Sequence, residues 1–248
     1  MIAVANLYGM MAFALYDQQA VSHETMAHAS FDGPRELLAR LYVDVLLRLV
    51  RRGIARAYTE HDDEGPRPRG RLVLAPTLSR ALLLRGHVAY RYDELVADRT
   101  ENRVLLAALR ALLADSSIEA TTRAQLRALL PSFEQVSMLS VGDALRAPVK
   151  APRENRHYIA ALPLAQLALA AIVSERRGGR TQLPEWARDE ARMASIFEGF
   201  VRGAAAYYLG SAARVSAKQL RFNVSAQDAA MEALVPIMKT DVFIEREG

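Results

Sequence analysis

Residues 87–115 read HVAYRYDELVADRTENRVLLAALRALLAD, and the hydrophobic pattern changes its period inside this stretch. The first part, HVAYRYDE, has the short β-like pattern of a strand. The second part, ENRVLLAALRALLAD, repeats its leucines at the spacing of an amphipathic α-helix. Because both patterns recur along the chain, the sequence predicts an α+β fold.

Two further β-like stretches precede this one, IARAYTE at 54–60 and GRLVLAP at 70–76. The segment between them, HDDEGPRPRG, is rich in charge, proline and glycine, which predicts an exposed loop or the tip of a projecting hairpin. Four of its side chains are of the types that bind metal ions, but consecutive acidic residues in a turn are usually solvated, and we favour that interpretation. They are His61, Asp62, Asp63 and Glu64.

Helices are predicted on both sides of the β-like region. The clearest is GPRELLARLYVDVLLRLVRRG at 33–53, with a proline in its first turn and Gly53 as its C-terminal cap. Its basic residues complement the helix dipole, and we favour capping and solubility over nucleic-acid contact for Arg48, Arg51 and Arg52. Later helices are predicted at 101–115, 121–133, 156–179 and 183–210, and strands at 218–224 and 239–245.

The composition is that of an ordinary globular protein, since 51% of the 248 residues are hydrophobic and 24% are charged. A proline-bearing linker at 147–155 predicts two domains, 1–150 and 151–248. The absence of cysteine excludes disulfides, thiol catalysis and thiolate metal sites. The apolar run at 1–15 is shorter than the roughly 20 residues of a membrane span, so the sequence predicts a cytoplasmic protein with no membrane segment. The net charge of +4 is compatible with a polyanionic partner.

The sequence contains no Gly-rich phosphate loop, HExxH motif or nucleophile elbow, and its five histidines lack metal-like helical spacing. The remaining candidate is Asp241 in the terminal stretch VPIMKTDVFIEREG, where alternation places it on one strand face with Phe243 and Glu245. Phosphodiester cleavage with Mg²⁺ typically needs two acidic groups and a lysine, which a hairpin supplies as one acid and then acid-x-lysine on the returning strand. Seven residues follow Asp241 and EREG has the pattern of a turn, so we expect the returning strand to be absent from this chain.

Several stretches, taken in order, resemble the McrC family, the nuclease subunits of modification-dependent restriction systems that work with a GTP-driven AAA+ partner, McrB. IAVANLYGMMAFA is similar to the family's opening helix, and RPRGRLVLAPTL to one of its strand regions. The most specific match is YRYDELVADRTENRVLLAALRALL at 90–113. ENRHYIAALPLAQLAL and ARMASIFEGFVRGAAAYYL resemble two later helices, and MKTDVFIERE resembles the strand that opens a PD-(D/E)xK nuclease core.

The resemblance implies roles for residues near both ends of the chain. Asp241 falls on the first metal-binding aspartate of the nuclease motif. Glu198 falls on an acidic helical position that can supply a further Mg²⁺ ligand, with a solvent-facing or capping glutamate as the open alternative. Residues 1–150 are implied to engage the McrB hexamer and stimulate its GTPase. The candidate partner-binding residues are Arg67, Arg69, Arg71, Asp93, Glu94, Asn102 and Arg103.

For two of these residues a local role is the favoured interpretation. Asn102 and Arg103 open a predicted helix, so we expect helix capping and an ion pair with Glu101 or Asp98. The charged segment at 61–71 is the better candidate for an element that protrudes toward a partner. An arginine presented to a neighbouring nucleotide site or acidic rim stabilises the negative charge there.

Together these features predict an McrC-like subunit of a DNA restriction complex with a role in phage defence. The expected architecture is a mixed helix and β-hairpin domain, a helical segment, and the incomplete start of a PD-(D/E)xK nuclease domain. Intact relatives are expected to cleave DNA with Mg²⁺. This chain, which we expect to be truncated before the D-x-K strand, is predicted to be inactive as a nuclease and to dock on an McrB-like AAA+ GTPase. The alternative is a stand-alone DNA-binding or scaffolding protein without nuclease activity.

Overall fold

The computed structural model of the protein describes residues 4–28, 33–176, 185–220 and 238–246. This part of the chain combines helices with two small antiparallel sheets, so the predicted α+β class is confirmed. The helices are α1 (Val4–Asp17), α2 (His23–His28), α3 (Gly33–Arg52), α4 (Leu74–Ser79), α5 (Thr100–Leu113), α6 (Ala120–Leu129), α7 (Val141–Arg146), α8 (Tyr158–Arg176) and α9 (Glu190–Leu209). The strands are β1 (Ala57–Gly65), β2 (Arg71–Leu72), β3 (Val88–Val96), β4 (Ala213–Leu220) and β5 (Met238–Arg246). Among the described residues, no helix has both the length and the apolar character needed to cross a bilayer.

The main hydrophobic core lies between α3, α5 and α8. Leu46, Leu105 and Leu164, one from each helix, are 0% exposed, and burying a leucine completely stabilises a protein by about 1.5–3 kcal/mol. Because α8 packs against both α3 and α5, the packing continues across the domain boundary that the sequence predicts at 150–151. In the segment before α8, Asn155 donates to the carbonyls of Leu49 and Gly53 at the end of α3.

Two glycines allow α9 to pack closely on α1. A Cβ atom at Gly203 would lie 1.9 Å from the carbonyl oxygen of Phe13, and one at Gly199 would lie 3.2 Å from the Cβ of Ala14. The ring of Phe13 also packs edge to face against Phe200, with 5.8 Å between the ring centroids. The first described helix is therefore fixed directly against a helix near the other end of the chain.

β1, β3 and β2 form an antiparallel sheet in that order. The acidic residues at 61–64 lie on β1, so the prediction of a loop is wrong for them, and the connection to β2 covers only 66–70. Cross-strand pairing explains the difference, because Asp62 lies opposite Arg91 of β3. The strand predicted at 70–76 is shortened to the two residues of β2, and α4 follows it.

Residues 57–96 form a unit that we call the sheet module. Its three strands, α4 and the 3-10 helix Leu82–Arg85 pack on one another. The module has its own buried residues, Leu82, Ala89 and Tyr90. The main hydrophobic cluster of the described residues contains nothing between Ala55 and Ala97. The module therefore stands apart from the helical core and is joined to it at its two ends.

β4 and β5 form a second antiparallel pair. Glu245 and Arg246 lie opposite Arg214 and Ala213, so the prediction of a turn is wrong for these two residues, which pairing with β4 keeps in the strand. Of the strand predicted at 218–224, the residues after Leu220 lie outside the described part of the chain.

A register shift changes which face of β5 carries Asp241. Between the pairs Ser216–Phe243 and Lys218–Thr240, β5 contains one residue more than β4. An extra residue in one strand interrupts the alternation of side chains. The sequence predicts that Asp241 lies on the same strand face as Phe243 and Glu245. Because of the extra residue, the strict alternation of side chains does not extend from those two residues to Asp241.

Candidate functional site

The sheet module carries a cross-strand charge network centred on Arg91. Its Nε donates to Asp62 Oδ1 at 2.6 Å, its Nη2 donates to Asp62 Oδ2 at 3.0 Å, and its Nη1 lies 3.2 Å from Glu60 Oε1. The two hydrogen bonds from the guanidinium lower the pKa of the Asp62 carboxyl below its ordinary value. β1 and β3 are therefore tied together by side chains as well as by backbone hydrogen bonds.

A polar cavity of about 330 Å³ opens beside this network. On its walls the hydroxyl of Tyr90 donates to Asp63 Oδ2 at 3.0 Å, and Arg80 Nη1 donates to Glu64 Oε2 at 3.4 Å. Each acidic residue of the cluster is thus engaged by an arginine or a tyrosine. No group of three metal-binding side chains occurs among the described residues, and the contacts in this cavity are those of ion pairing.

The three candidate arginines Arg67, Arg69 and Arg71 are all exposed. They lie where the connection from β1 leads into the edge strand β2, and we call this part of the module its arginine edge. The guanidinium carbon of Arg69 lies 5.8 Å from the ring centroid of Tyr92, a cation–π contact. None of the three forms an ion pair with a residue in the described ranges. This edge therefore presents positive charge that the described part of the chain leaves uncompensated by direct pairing.

The candidate acids Asp93 and Glu94 are exposed on β3, opposite Glu60 and Thr59 of β1. The carboxylate of Glu94 lies 3.9 Å from Nε2 of His61. The structure thus brings the predicted acidic and basic residues into one module. The acids lie along the strands, whereas the arginines lie in the connection before β2 and on β2 itself.

Asn102 is 0% exposed, so the structure does not present it to a partner. Its Nδ2 donates to the backbone carbonyl oxygens of Ala55 at 2.8 Å and Ala97 at 2.6 Å, and its Oδ1 accepts from the hydroxyl of Tyr158. The expectation that Asn102 caps α5 is also wrong, because its amide binds carbonyl groups and not the first N–H groups of the helix. Asn102 instead joins the two segments by which the sheet module leaves the core.

Arg103 forms an ion pair with Asp98, one of the two acidic residues that the sequence offers as its partner. Its Nε and Nη2 each lie 2.7 Å from a carboxylate oxygen of Asp98. The backbone N–H of Ser137 also donates to Asp98, at 2.8 Å. These hydrogen bonds hold the pKa of the Asp98 carboxyl well below its ordinary value. The pair fixes the segment that follows β3.

Sequence reasoning missed Tyr158 and Asn155. Tyr158 is fully buried, its hydroxyl accepts from the N–H of Ala55 at 2.8 Å, and burial raises its pKa to about 12. Asn155 Nδ2 donates to the carbonyl of Gly53 at 3.0 Å. No local pattern could have identified them, because these partners are 103 and 102 residues away in sequence.

The nuclease candidates Asp241 and Glu198 lie on two elements that pack together, β5 and α9. The side chain of Asp241 is exposed, and its backbone carbonyl accepts from Arg202 Nη1 at 2.9 Å. Arg202 Nε also donates to Asp17 Oδ2 at 3.1 Å. Glu198 is half-buried and lies one helical turn before Arg202. Lys218 of β4 pairs with Glu245 and lies over Phe243, so its ammonium is engaged away from Asp241.

The described residues around Asp241 do not by themselves fit a magnesium ion. Mg²⁺ requires a nearly octahedral set of oxygen ligands, and the described part of the chain gathers no three candidate ligands. The guanidinium of Arg202 also brings a positive charge to the backbone of Asp241. The ligand roles of Asp241 and Glu198 therefore stay predictions.

Comparison with protein families places the chain among the components of restriction systems. Residues 7–243 match the family described as McrBC 5-methylcytosine restriction system component. This chain belongs to the McrBC family, which confirms the resemblance that its motifs show. Comparison with curated proteins gives no significant match.

Two solved structures share the fold. One is the cryo-EM structure of the Thermococcus gammatolerans McrBC complex, at 19% identity and a TM-score of 0.51, covering 69% of this chain and 58% of the matched chain. The other is a refined half-complex from a tetradecameric assembly of Thermococcus gammatolerans McrB AAA+ hexamers with bound McrC, at 16% identity and a TM-score of 0.53. It covers 96% of this chain and 53% of the matched chain. This chain therefore spans little more than half the length of the chains it matches.

Proposed function

We propose that this chain is an McrC-like subunit of a modification-dependent DNA restriction complex, and that its sheet module docks on an McrB-like AAA+ GTPase hexamer and stimulates GTP hydrolysis. The observation that carries the proposal is the sheet module itself, which stands apart from the core. It presents Arg67, Arg69 and Arg71 at one exposed edge. The related assembly described as McrB AAA+ hexamers with bound McrC supports the kind of partner.

The chemistry of arginine explains how such an edge would act. The planar guanidinium donates paired hydrogen bonds that match carboxylates and phosphates. An arginine that reaches a nucleotide site from a second protein stabilises the charge of the phosphoryl-transfer transition state and is worth roughly 10³–10⁵-fold in rate. Arg69 is oriented in advance by the ring of Tyr92. Arg67 is exposed in the connection between β1 and β2.

GTP hydrolysis by the cognate McrB-like protein, measured over a range of concentrations of this chain, tests the proposal. We expect Arg67→Gln/Arg69→Gln/Arg71→Gln to lower the maximal stimulation at least tenfold. The matched control is Arg110→Gln/Arg127→Gln/Arg192→Gln, which removes the same charge from exposed helical positions outside the module. Full stimulation by the module variant, or an equal loss with the control variant, would contradict docking through this edge.

DNA cleavage with Mg²⁺ is the second candidate function, and the observation that favours it is that Asp241 is exposed on β5, which packs against the helix that carries Glu198. We expect the described residues around Asp241 to support no DNA cleavage by themselves, because they gather no group of three candidate ligands for the ion. A cleavage assay with Mg²⁺, run with and without the partner and GTP, tests this expectation. Cleavage by the chain alone that is lost in Asp241→Ala would show that the site is complete.

A further inference from the structure

A second basic surface is built where the end of α3 meets the segment before α8. Asn155 makes the contact, since its Nδ2 donates to the carbonyl of Gly53 at 3.0 Å and its Oδ1 accepts from the N–H of His157 at 3.0 Å. Arg48 and Arg52 lie one turn apart on the last turns of α3. The fold therefore places Arg156 and His157 beside them, although the two segments are about a hundred residues apart in sequence.

We call Arg48, Arg52, Arg156 and His157 the basic patch. Burial lowers the pKa of His157, and the positive charges of Arg156, Arg52 and Arg48 lower it further, so the three guanidiniums act on one imidazole. Four more cationic residues close in sequence to the patch are exposed. They are Lys150, Arg51, Arg56 and Arg153.

Within the part of the chain that the structure describes, the arginines of the basic patch have no ion-pair partner. Glu154 is the one acidic residue within 48–56 and 150–157. Neither Glu154 nor any arginine of the patch forms an ion pair with another residue in the described part of the chain. Like charges held together without partners repel one another, and an anion bound across them relieves that repulsion.

We propose that the basic patch binds the phosphate backbone of double-stranded DNA. For Arg48 and Arg52 the sequence alone favours capping and solubility over nucleic-acid contact, but the fold adds Arg156 and His157 beside them. A protein partner is disfavoured because interface cores are rich in apolar and aromatic side chains. No residue of the patch is apolar, and the exposed large hydrophobic residues nearest to it in the described sequence are two single side chains, Tyr58 and Ile159. A polar and strongly positive surface is typical of DNA interfaces, and phosphate contacts position the duplex without reading its sequence. The proposal shares no arginine with the edge of the sheet module, so either one can fail without the other.

Fluorescence anisotropy with the full chain and a labelled, unmodified 30-base-pair duplex tests the proposal, with no GTPase present. We expect the wild-type chain to bind at low salt and Arg48→Gln/Arg52→Gln/Arg156→Gln to weaken binding at least tenfold. The slope of log affinity against log salt should fall by about two to three, because each phosphate contact contributes about 0.9. Arg110→Gln/Arg127→Gln/Arg192→Gln, with the same net charge as the patch variant, should stay within about twofold of the wild-type affinity.

Because Arg48 is half-buried, replacing it can also affect folding. A second variant therefore leaves Arg48 unchanged. Arg52→Glu/Arg156→Glu changes only exposed residues of the patch and should abolish measurable binding while thermal unfolding stays close to that of the wild type. Three results would overturn the proposal. They are no binding of duplex DNA by the wild-type chain at low salt, unchanged affinity and slope in the patch variants, and an equal loss of affinity in the control variant.

Discussion

The hydroxyl of Tyr158 donates a hydrogen bond to Oδ1 of Asn102, and this buried pair links α8 to both ends of the sheet module. The amide of Asn102 reaches the carbonyl just before β1 and the carbonyl just after β3. The Tyr158 hydroxyl meanwhile accepts from the N–H of Ala55. We call this network the root of the module, in which the Asn102 amide, the Tyr158 hydroxyl and the N–H of Ala55 are all hydrogen-bonded.

Removing the hydroxyl of Tyr158 should destabilise the attachment of the sheet module to the helical core. Tyr158→Phe leaves Oδ1 of Asn102 and the N–H of Ala55 without a partner in a buried site, which costs about 1–3 kcal/mol. Asn102→Ala also leaves a cavity and should cost more, about 2–5 kcal/mol. Urea denaturation followed by circular dichroism measures both changes in the free energy of unfolding.

Tyr58→Phe is the matched control for the hydroxyl, since Tyr58 is 74% exposed on β1. We expect it to change the free energy of unfolding by less than about 0.5 kcal/mol. If Tyr158→Phe were as mild as this control, the hydrogen bonds at the root would contribute nothing measurable to stability.

Gly70 should tolerate no side chain. Its φ is +66°, and an added Cβ would lie 2.4 Å from the carbonyl oxygen of Arg91 on the neighbouring strand. Gly86 has a similar φ of +68° but no atom within 4 Å of an added Cβ. The variant Gly86→Ala therefore measures backbone strain without a steric clash. We expect Gly86→Ala to cost about 1 kcal/mol from its left-handed backbone. Gly70→Ala should cost about 1–3 kcal/mol more, because β2 is pushed from β3.

Hydrogen exchange at the amides of β3 is the appropriate measurement for this pair. The sheet module is separate from the main core, so its opening can escape a probe of global unfolding. Faster exchange in Gly70→Ala than in Gly86→Ala is the expected result. Equal exchange rates in the two variants would show that β2 can move aside without cost.

The contact between α1 and α9 should depend on Gly203 more than on Gly199. A Cβ at Gly203 would lie 1.9 Å from the carbonyl oxygen of Phe13, whereas one at Gly199 would meet Ala14 at 3.2 Å. We expect Gly203→Ala to destabilise the protein by about 3 kcal/mol and Gly199→Ala by about 1 kcal/mol. Gly9→Ala, with open space around it, should be neutral or stabilising by up to about 1 kcal/mol. Calorimetric melting of the three variants checks this order, and a reversed order would argue against the close packing of the two helices.

The ion pair of Asp98 should make stability depend on acid pH. The pKa of Asp98 is lower in the folded protein than its ordinary value near about 4, so the stabilisation is fully present above about pH 4. It is lost as the pH falls from there toward the folded pKa. Urea denaturation of wild type and Asp98→Asn should therefore show a difference at pH 7 that narrows at pH 3. A difference that stays constant over this range would contradict the assigned charge state, and Asp93→Asn, which changes an exposed carboxylate on β3, is the control.

The sequence predicts the elements of the fold well wherever one face of an element is apolar. The helix at 33–53 and the strand and helix at 87–115 occur nearly as their hydrophobic periods indicate, because burial of that face determines the structure. The acidic residues of β1 are the clearest failure. A run of charge, proline and glycine is typical of a loop, but Arg91 supplies a cross-strand partner that no local pattern contains.

For the candidate site too, some features could be predicted from the local sequence and others could not. The exposed positions of Arg67, Arg69 and Arg71 follow from their polar surroundings in the chain. Asn102 carries no such local signal, because its two carbonyl partners and Tyr158 come from three separate segments. The register shift next to Asp241 could not be predicted either, because the register of β5 depends on its pairing with β4 and not on the alternation of its own residues.

The narrow attachment of the sheet module has a mechanical consequence. A force applied at its arginine edge would reach the helical core through the hydrogen bonds of Asn102 to Ala55 and Ala97 and through the ion pair of Arg103 with Asp98. Flexible loops in the same place would absorb such a force. Asn102 is part of α5 and accepts a hydrogen bond from Tyr158 of α8, so the attachment of the sheet module is continuous with the helical core.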